Sequence, residues 1–233
     1  MTWRMLTHIL NRKVDAAKAA FAPKRERVDA KLPLGLRFGA IVDLPEDFFI
    51  LYGDKALITF PEQTNFVKAW GNAVLMGTKV YRFYLEGKNK KATSVLQVIP
   101  RGEKDPPECM LFRELDLVHP TSSEEWAQWI KKGTGLIGYK DFTIGAALYT
   151  REWGVDGGDY FVPQLFTERV SADPYGDTSF VISHETMLYA RALNGDDQDG
   201  IEYVMLSKEG DQEGSRISIT LGISVSPIGL TIS

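Results

Sequence analysis

The chain has 233 residues, 27 basic and 31 acidic, for a formal net charge of −4, with 44% hydrophobic and 25% charged residues. That is ordinary globular composition, neither disordered nor collagen-like, and no apolar run approaches the roughly 20 residues of a membrane-spanning helix. The single cysteine, Cys109, excludes an intramolecular disulfide framework and fits a reducing compartment, so the expected location is cytoplasmic.

The charge is unevenly spread. Residues 1–31 carry eight basic and three acidic side chains, 8 − 3 = +5, which leaves −4 − 5 = −9 for the rest. Within this head, Trp3, Leu6, Leu10, Val14, Ala17 and Phe21 recur at three- and four-residue steps, predicting an amphipathic helix over residues 1–22. Pro23 stops it, and Arg12, Lys13 and Asp15 interrupt any secretory apolar core. The charged stretch from Pro23 to Lys31 reads as a linker.

From Leu32 the period changes to two. Leu34, Leu36 and Phe38 alternate with polar or small residues, and Ala40–Val42 follows. Further strands are predicted over Phe48–Tyr52, Ala56–Phe60, Lys79–Leu85, Ser94–Ile99 and Cys109–Leu115, with Gly87–Asn89 as a hairpin turn. A capping box, Ser122 with Glu125 or Thr121 with Glu124, starts a short helix. Its apolar face is Trp126, Trp129 and Ile130, and Gly133 ends it. Strands return at Thr143–Trp153, Tyr160–Val170, Ser179–Ile182, Met187–Leu193, Ile201–Ser207, Arg216–Val225 and Gly229–Ile232. The expected fold is mainly β (α+β): antiparallel sheets in one large or two related β subdomains, with two helices. The expected divisions are a basic helix and linker (1–31), a first β-rich part (32–118), a short helix with a Gly-rich connection (119–140) and a second β-rich part (141–233).

The chemical motifs are few. Gly133-Thr134-Gly135-Leu136-Ile137-Gly138 matches G-x-G-x-x-G, but it follows a helix and precedes a strand, the inverse of a dinucleotide site. The acidic turn Asn194–Gly200 fails as a calcium loop, because Gly195 and Leu206 would fall at ligand positions. His8, His119 and His184 lie far apart, and no second histidine or cysteine stands at metal-ligand spacing. No catalytic, cofactor-binding or metal residues are therefore assigned, and no cofactor is expected. A dispersed hydrolytic site, built on His184 beside Glu185 or on Cys109 with His119, is the enzymatic alternative. Nucleic acid is a poor match to an acidic body.

Leu148-Tyr149-Thr150-Arg151 and Leu188-Tyr189-Ala190-Arg191 repeat L-Y-x-R, with Val80-Tyr81-Arg82-Phe83 as a looser third instance. On a strand each Tyr and Arg two residues apart share a face. Convergent hairpin composition is the plainer account; duplicated β units with a common Tyr/Arg surface is the sharper one. The candidate interaction residues are accordingly Trp3, Leu6, Leu10, Arg12, Lys13 and Phe21 in the head, and Tyr149, Arg151, Trp153, Tyr189 and Arg191 in the body.

The stretches PLGLRFGAIVDL (33–44), GLIGYKDF (135–142), YTREWG (149–154), PQLFTERV (163–170), MLYAR (187–191) and EYVMLSKE (202–209) together resemble the YjfK-like family, an uncharacterised bacterial family of domains of unknown function. The resemblance brings no activity, cofactor or catalytic residues. It implies a link to envelope stress, since members sit in gene neighbourhoods with membrane-stress proteins of the phage-shock type. Sequence alone thus favours a non-enzymatic interaction protein whose partner is another protein. The alternative to it is peripheral attachment to the inner membrane, with Trp3, Leu6, Leu10 and Phe21 inserted and Arg4, Arg12, Lys13 and Lys18 at anionic head groups.

Overall fold

A computed structural model describes residues 25–89, 93–102, 105–154, 158–194 and 200–233. The predicted helix over residues 1–22, with its candidate residues Trp3, Leu6, Leu10, Arg12, Lys13 and Phe21, lies outside the described residues. Twelve strands are present among the described residues: β1 Ile41–Asp43, β2 Thr64–Leu75, β3 Thr78–Gly87, β4 Thr93–Ile99, β5 Glu108–Val118, β6 Asp141–Ile144, β7 Ala147–Arg151, β8 Gln164–Ser171, β9 Ser179–Ala192, β10 Ile201–Asp211, β11 Gly214–Val225 and β12 Thr231–Ile232. Two α-helices accompany them among the described residues, α1 Asp47–Tyr52 and α2 Ser123–Ile130.

Eight strands close into an antiparallel barrel in the order β2-β3-β4-β5-β11-β10-β9-β8, with β8 returning to β2. The two β-rich stretches, 32–118 and 141–233, contribute four strands each. Closure rests on a short seam in which Trp70 pairs with Ser171, Gly71 with Val170 and Asn72 with Arg169. Beyond the seam, β1 and β12 extend the sheet from β2, while β7 and β6 extend it from β9.

Burial along β8 and β9 identifies the inner face. Leu165, Thr167, Arg169, Val181 and Ser183 are exposed, while the alternating Glu168, Val170, Ile182, His184 and Thr186 are buried. An eight-stranded barrel is just wide enough for side chains to fill. Here the inner face carries Arg82, Tyr84, Phe112, Met205, Ser207 and Glu209 as well, a mixture of apolar and charged groups. The larger apolar cluster lies on the outer face, where Phe83, Leu85, Leu111, Leu206 and Leu221 are covered by residues 32–60, by α2, by residues 136–153 and by Phe161.

Several predicted elements differ from the observed ones. Phe48–Tyr52 is helix α1 instead of a strand, because Phe48 packs on Tyr52 one turn later (5.2 Å between ring centroids) and Phe49 on Phe60 (4.9 Å). Consecutive Phe48 and Phe49 both turn inward, which a strand cannot arrange. Residues 33–35 form a 3-10 turn, and 56–60 cross the outer face without regular pairing. Ser179–Ile182 and Met187–Leu193 are one strand, since β8 and β7 pair successive parts of it. The second helix starts as expected, with Ser122 Oγ accepting from Glu125 N–H (3.1 Å) and the Glu125 carboxylate reaching back to Thr121 N–H (2.6 Å), but it ends at Ile130 with Lys131 as an extended cap, before the expected stop at Gly133.

Strand β2 has no counterpart among the predicted elements. A bulge between Val67 and Ala69 breaks its period, and Gly71 and Asn72 resemble a turn. Gly71 is required for another reason: a Cβ there would overlap the Glu168 carboxylate, which crosses β2 on its way to β3. Gly71→Ala is expected to cost about 1–3 kcal/mol by overpacking. Urea denaturation of this variant beside the wild type measures it.

Candidate functional site

The polar interior of the barrel is the most unusual chemistry in the chain. Glu168 on β8 is fully buried and accepts three bonds: from Arg82 Nη1 at 2.8 Å, from the Tyr84 hydroxyl at 2.7 Å, and through His184 Nε2 at 3.1 Å. On the other ring nitrogen, His184 Nδ1 lies 3.2 Å from Ser207 Oγ and 3.9 Å from Glu209 Oε1. The imidazole stacks on Phe166, 4.4 Å between centroids and 8° from parallel. Arg216 extends the network to Glu209 (3.1 Å) and Asp211 (2.8 Å).

Burial and neighbours oppose each other here. Burial pushes the Glu168 carboxyl up, but Arg82, His184 and Tyr84 outweigh it and hold the group down at about 2. For His184 burial wins: it disfavours the imidazolium more than Glu168 and Glu209 favour it, so the pKa falls below its ordinary value and the ring is neutral at neutral pH. Burial and the Glu168 charge together raise the Tyr84 hydroxyl.

Ser207, His184 and Glu168 stand in the order of a nucleophile, base and orienting carboxylate. The chemistry of such a triad requires a substrate carbonyl against the hydroxyl, and Ser207, His184 and Glu168 are each at most 4% exposed. A cavity bordered by Arg82, Tyr84 and Glu114 has neither Ser207 nor His184 in its wall. Glu168 is moreover shared with Arg82 and Tyr84, so the arrangement is a structural relay holding β3, β8, β9 and β10 together. The expected neighbour Glu185 faces outward beside Lys208 (3.6 Å), because adjacent strand residues point to opposite faces. Cys109 and His119 lie at opposite ends of β5, and burial raises the thiol to about 11.

The L-Y-x-R repeat has a direct structural cause. In the antiparallel pair of β7 and β9, Thr150 is opposite Ala190 and Arg151 opposite Tyr189, so Tyr149 faces Arg191 in the same register. Each copy thereby supplies the partner the other needs. The Arg191 guanidinium lies over the Tyr149 ring at 5.0 Å, and both side chains bond the fully buried Glu202. Glu202 also accepts from Ile58 N–H at 2.7 Å, tying the crossing segment to β10. At the other pair, Tyr189 OH donates to Leu136 O (2.6 Å) and accepts from Gly138 N–H (2.9 Å). Arg151 donates to the carbonyls of Gly138, Gly154 and Gly158. The G-x-G-x-x-G segment is thus wound onto Tyr189 and Arg151. Tyr149, Arg151 and Tyr189 are buried, Arg191 is partly so, and Trp153 packs half-buried against the core.

Sequence reasoning did not single out Glu168, Ser207, Glu209 or Arg216, and met Arg82 only in the looser Tyr-Arg echo. The available signal was a set of charged residues inside strands with apolar neighbours on both parities. Among the described residues no group of three or more His, Cys, Asp or Glu side chains is arranged to hold a metal ion.

The chain belongs to the family described as "Protein of unknown function (DUF2491)", which it matches over residues 9–232. Comparison with curated proteins and with solved structures finds no match.

Two outcomes follow from the geometry. The unfolded chain binds more protons than the native state below the ordinary histidine pKa of about 6.5 and again below the carboxylate range near 4.5. Stability is therefore expected to fall as pH drops below about 6.5, through neutral His184, and further towards pH 2, through Glu168. Urea midpoints against pH measure this, and His184→Gln should lose the upper part of the slope. Separately, Glu202→Ala removes the acceptor of the Tyr149 hydroxyl and leaves Arg191 only the Lys55 carbonyl, with its charge unbalanced. It should cost about 3–5 kcal/mol and speed amide exchange at Ile58, whereas Tyr149→Phe should cost about 1 kcal/mol.

Proposed function

From this family without an assigned activity, we propose that the protein is a non-enzymatic interaction protein: the barrel is a rigid frame, and another protein binds its outer surface. The observation that carries this is helix α1. Phe48, Phe49 and Tyr52 pack inward, while Ile50 and Leu51 remain 75% and 66% exposed. Ile228, 91% exposed, sits in the Pro227–Gly229 turn, whose Gly229 packs on Pro45 just before the helix. Large apolar side chains gathered at one corner of a surface mark a contact region. Glu46, Asp47 and Asp54 flank this one, so the partner chemistry we propose is an apolar centre with a basic rim.

The basic head is proposed as a second contact element, on its +5 charge and apolar stripe. The same two features support a peripheral membrane reading and, with it, a cytoplasmic location beside the envelope.

The test is crosslinking in native lysate with the full chain, with Ile50→Asp/Leu51→Asp, and with a variant lacking residues 1–24. A partner captured by the full chain should fall at least tenfold in the double variant, whose circular dichroism should be unchanged. Equal capture by the folded double variant would sink the α1 reading. Co-sedimentation of the full chain, but not the shortened one, with anionic vesicles would favour the membrane reading instead.

A further inference from the structure

The cover on the outer face of the barrel is uneven. On β9 the outward residues Met187 and Tyr189 are fully buried, yet Val181 and Ser183, earlier on the same face, are exposed. On β2, Trp70 is buried, while Val74, four residues further along the same face, is 61% exposed. Between these strands β8 turns Thr167 and Leu165 outward, the latter 74% exposed. Val74, Leu165 and Val181 thus share one uncovered face of three adjacent strands, β2, β8 and β9. Single exposed apolar side chains are ordinary, but here three lie on one sheet face. The small Thr167 and Ser183, paired with each other on β8 and β9, leave a shallow floor on which a helix can rest.

The place where the described chain begins selects the occupant. Arg25 pairs with Asp177 at 2.6 Å, and its guanidinium lies over the Tyr175 ring at 4.9 Å. Val28 N–H donates to the Pro174 carbonyl at 3.0 Å. All three anchors belong to the turn that joins β8 to β9, so residues 1–24 depart from one end of the uncovered face. Phe21 stands four residues before Arg25, and Val181 four residues after Asp177. Four extended residues span up to about 14 Å, which lets Phe21 reach Val181.

The spacing matches from there. Val181 is opposite Arg169, and Leu165 is four residues from Arg169 along β8, about 13 Å. Leu10 and Phe21 are eleven residues apart, about 16 Å on a helix. A helix of this length is marginal in water, and an apolar stripe stabilises it only when a surface covers the stripe.

We propose that residues 1–22 dock as an amphipathic helix on the outer face of β2, β8 and β9 of their own chain, with Phe21 over Val181 and Leu10 over Leu165. Val14 and Ala17 then face the floor between. A head seated there keeps its stripe from water, so a partner or membrane that takes the head must first displace it. The face is apart from the α1 corner, and a failure of this docking leaves both contacts proposed above standing.

The experiment places a nitroxide on Arg12→Cys, which the helical period sets opposite the stripe, in the ¹⁵N-labelled full-length chain. The wild-type chain, whose Cys109 is buried, is the labelling control. Amide peaks of Leu165, Thr167, Val181 and Ser183 should weaken at least about twofold relative to the reduced label. Those of residues 110–112 on β5, across the barrel, should keep their intensity. Leu165→Asp/Val181→Asp, at exposed positions, should restore the weakened peaks with unchanged circular dichroism. Leu10→Asp, outside the barrel, should restore them without touching its fold. Equal weakening in these variants overturns the proposal, as does no weakening at all or weakening centred on Ile50 and Leu51. Mixing unlabelled-nitroxide ¹⁵N chains with nitroxide-bearing chains of natural isotope abundance should weaken nothing; weakening there gives the face to a second copy's head and overturns docking within one chain.

Discussion

Glu168 is the constraint on which the barrel depends. Only three residue pairs join β8 to β2, too short a seam to hold eight strands in register by ladder bonds alone. The Glu168 side chain bridges it from within, crossing β2 over Gly71 to reach Arg82 and Tyr84 on β3 while meeting His184 on β9. One carboxylate thereby couples three strands across the closure, and the space it crosses exists because residue 71 has no side chain. Closure also pairs the edges of the eight barrel strands, leaving the short β6 and β12 at the ends of the two extensions as edge strands.

Such an interior is an uneven bargain energetically. Taking charges out of water costs several kcal/mol per ion, and the attraction between partners offsets this only with good geometry and further hydrogen bonds. Here the geometry is good: Glu168 accepts on both oxygens, and Arg216 meets Glu209 and Asp211 together. The favourable apolar burial comes largely from the other face. Phe83, Leu85, Leu111, Leu206 and Leu221 are fully or almost fully buried beneath the segments that wrap the barrel. At about 1.5–3 kcal/mol for each large side chain, this outer layer is the main hydrophobic contribution. The molecule therefore reverses the usual division, with specificity inside the barrel and apolar packing outside it.

The wrapping segments are held by the same device on a smaller scale. Glu202 gathers Tyr149, Arg191 and the backbone of Ile58, while Tyr189 and Arg151 hold the carbonyls and amide of the glycine-rich connection. In both places a buried side chain replaces backbone partners that an irregular segment cannot find in a ladder. The outer layer is consequently fixed although little of it is regular, and α1 is left with two apolar side chains facing water.

The β class, the antiparallel pairing of β3 with β4, the capped start of the helix at Ser122 and most strands were legible in the sequence, because each depends on local period or local capping chemistry. The L-Y-x-R echo was legible too, but its meaning depended on the register of β7 against β9, which sets each tyrosine opposite the other copy's arginine. Strand β2 was hidden by its bulge and by Gly71, whose presence answers to a carboxylate almost a hundred residues away. Helix α1 was misread because Phe48 and Phe49 are drawn to the same core by tertiary packing. Most of the extended segments, though not β2, follow from alternation between neighbours along the chain. Tertiary structure alone decided that Arg82, Glu168, His184 and Ser207 meet, because a closed barrel brings together residues from strands that share no local pattern.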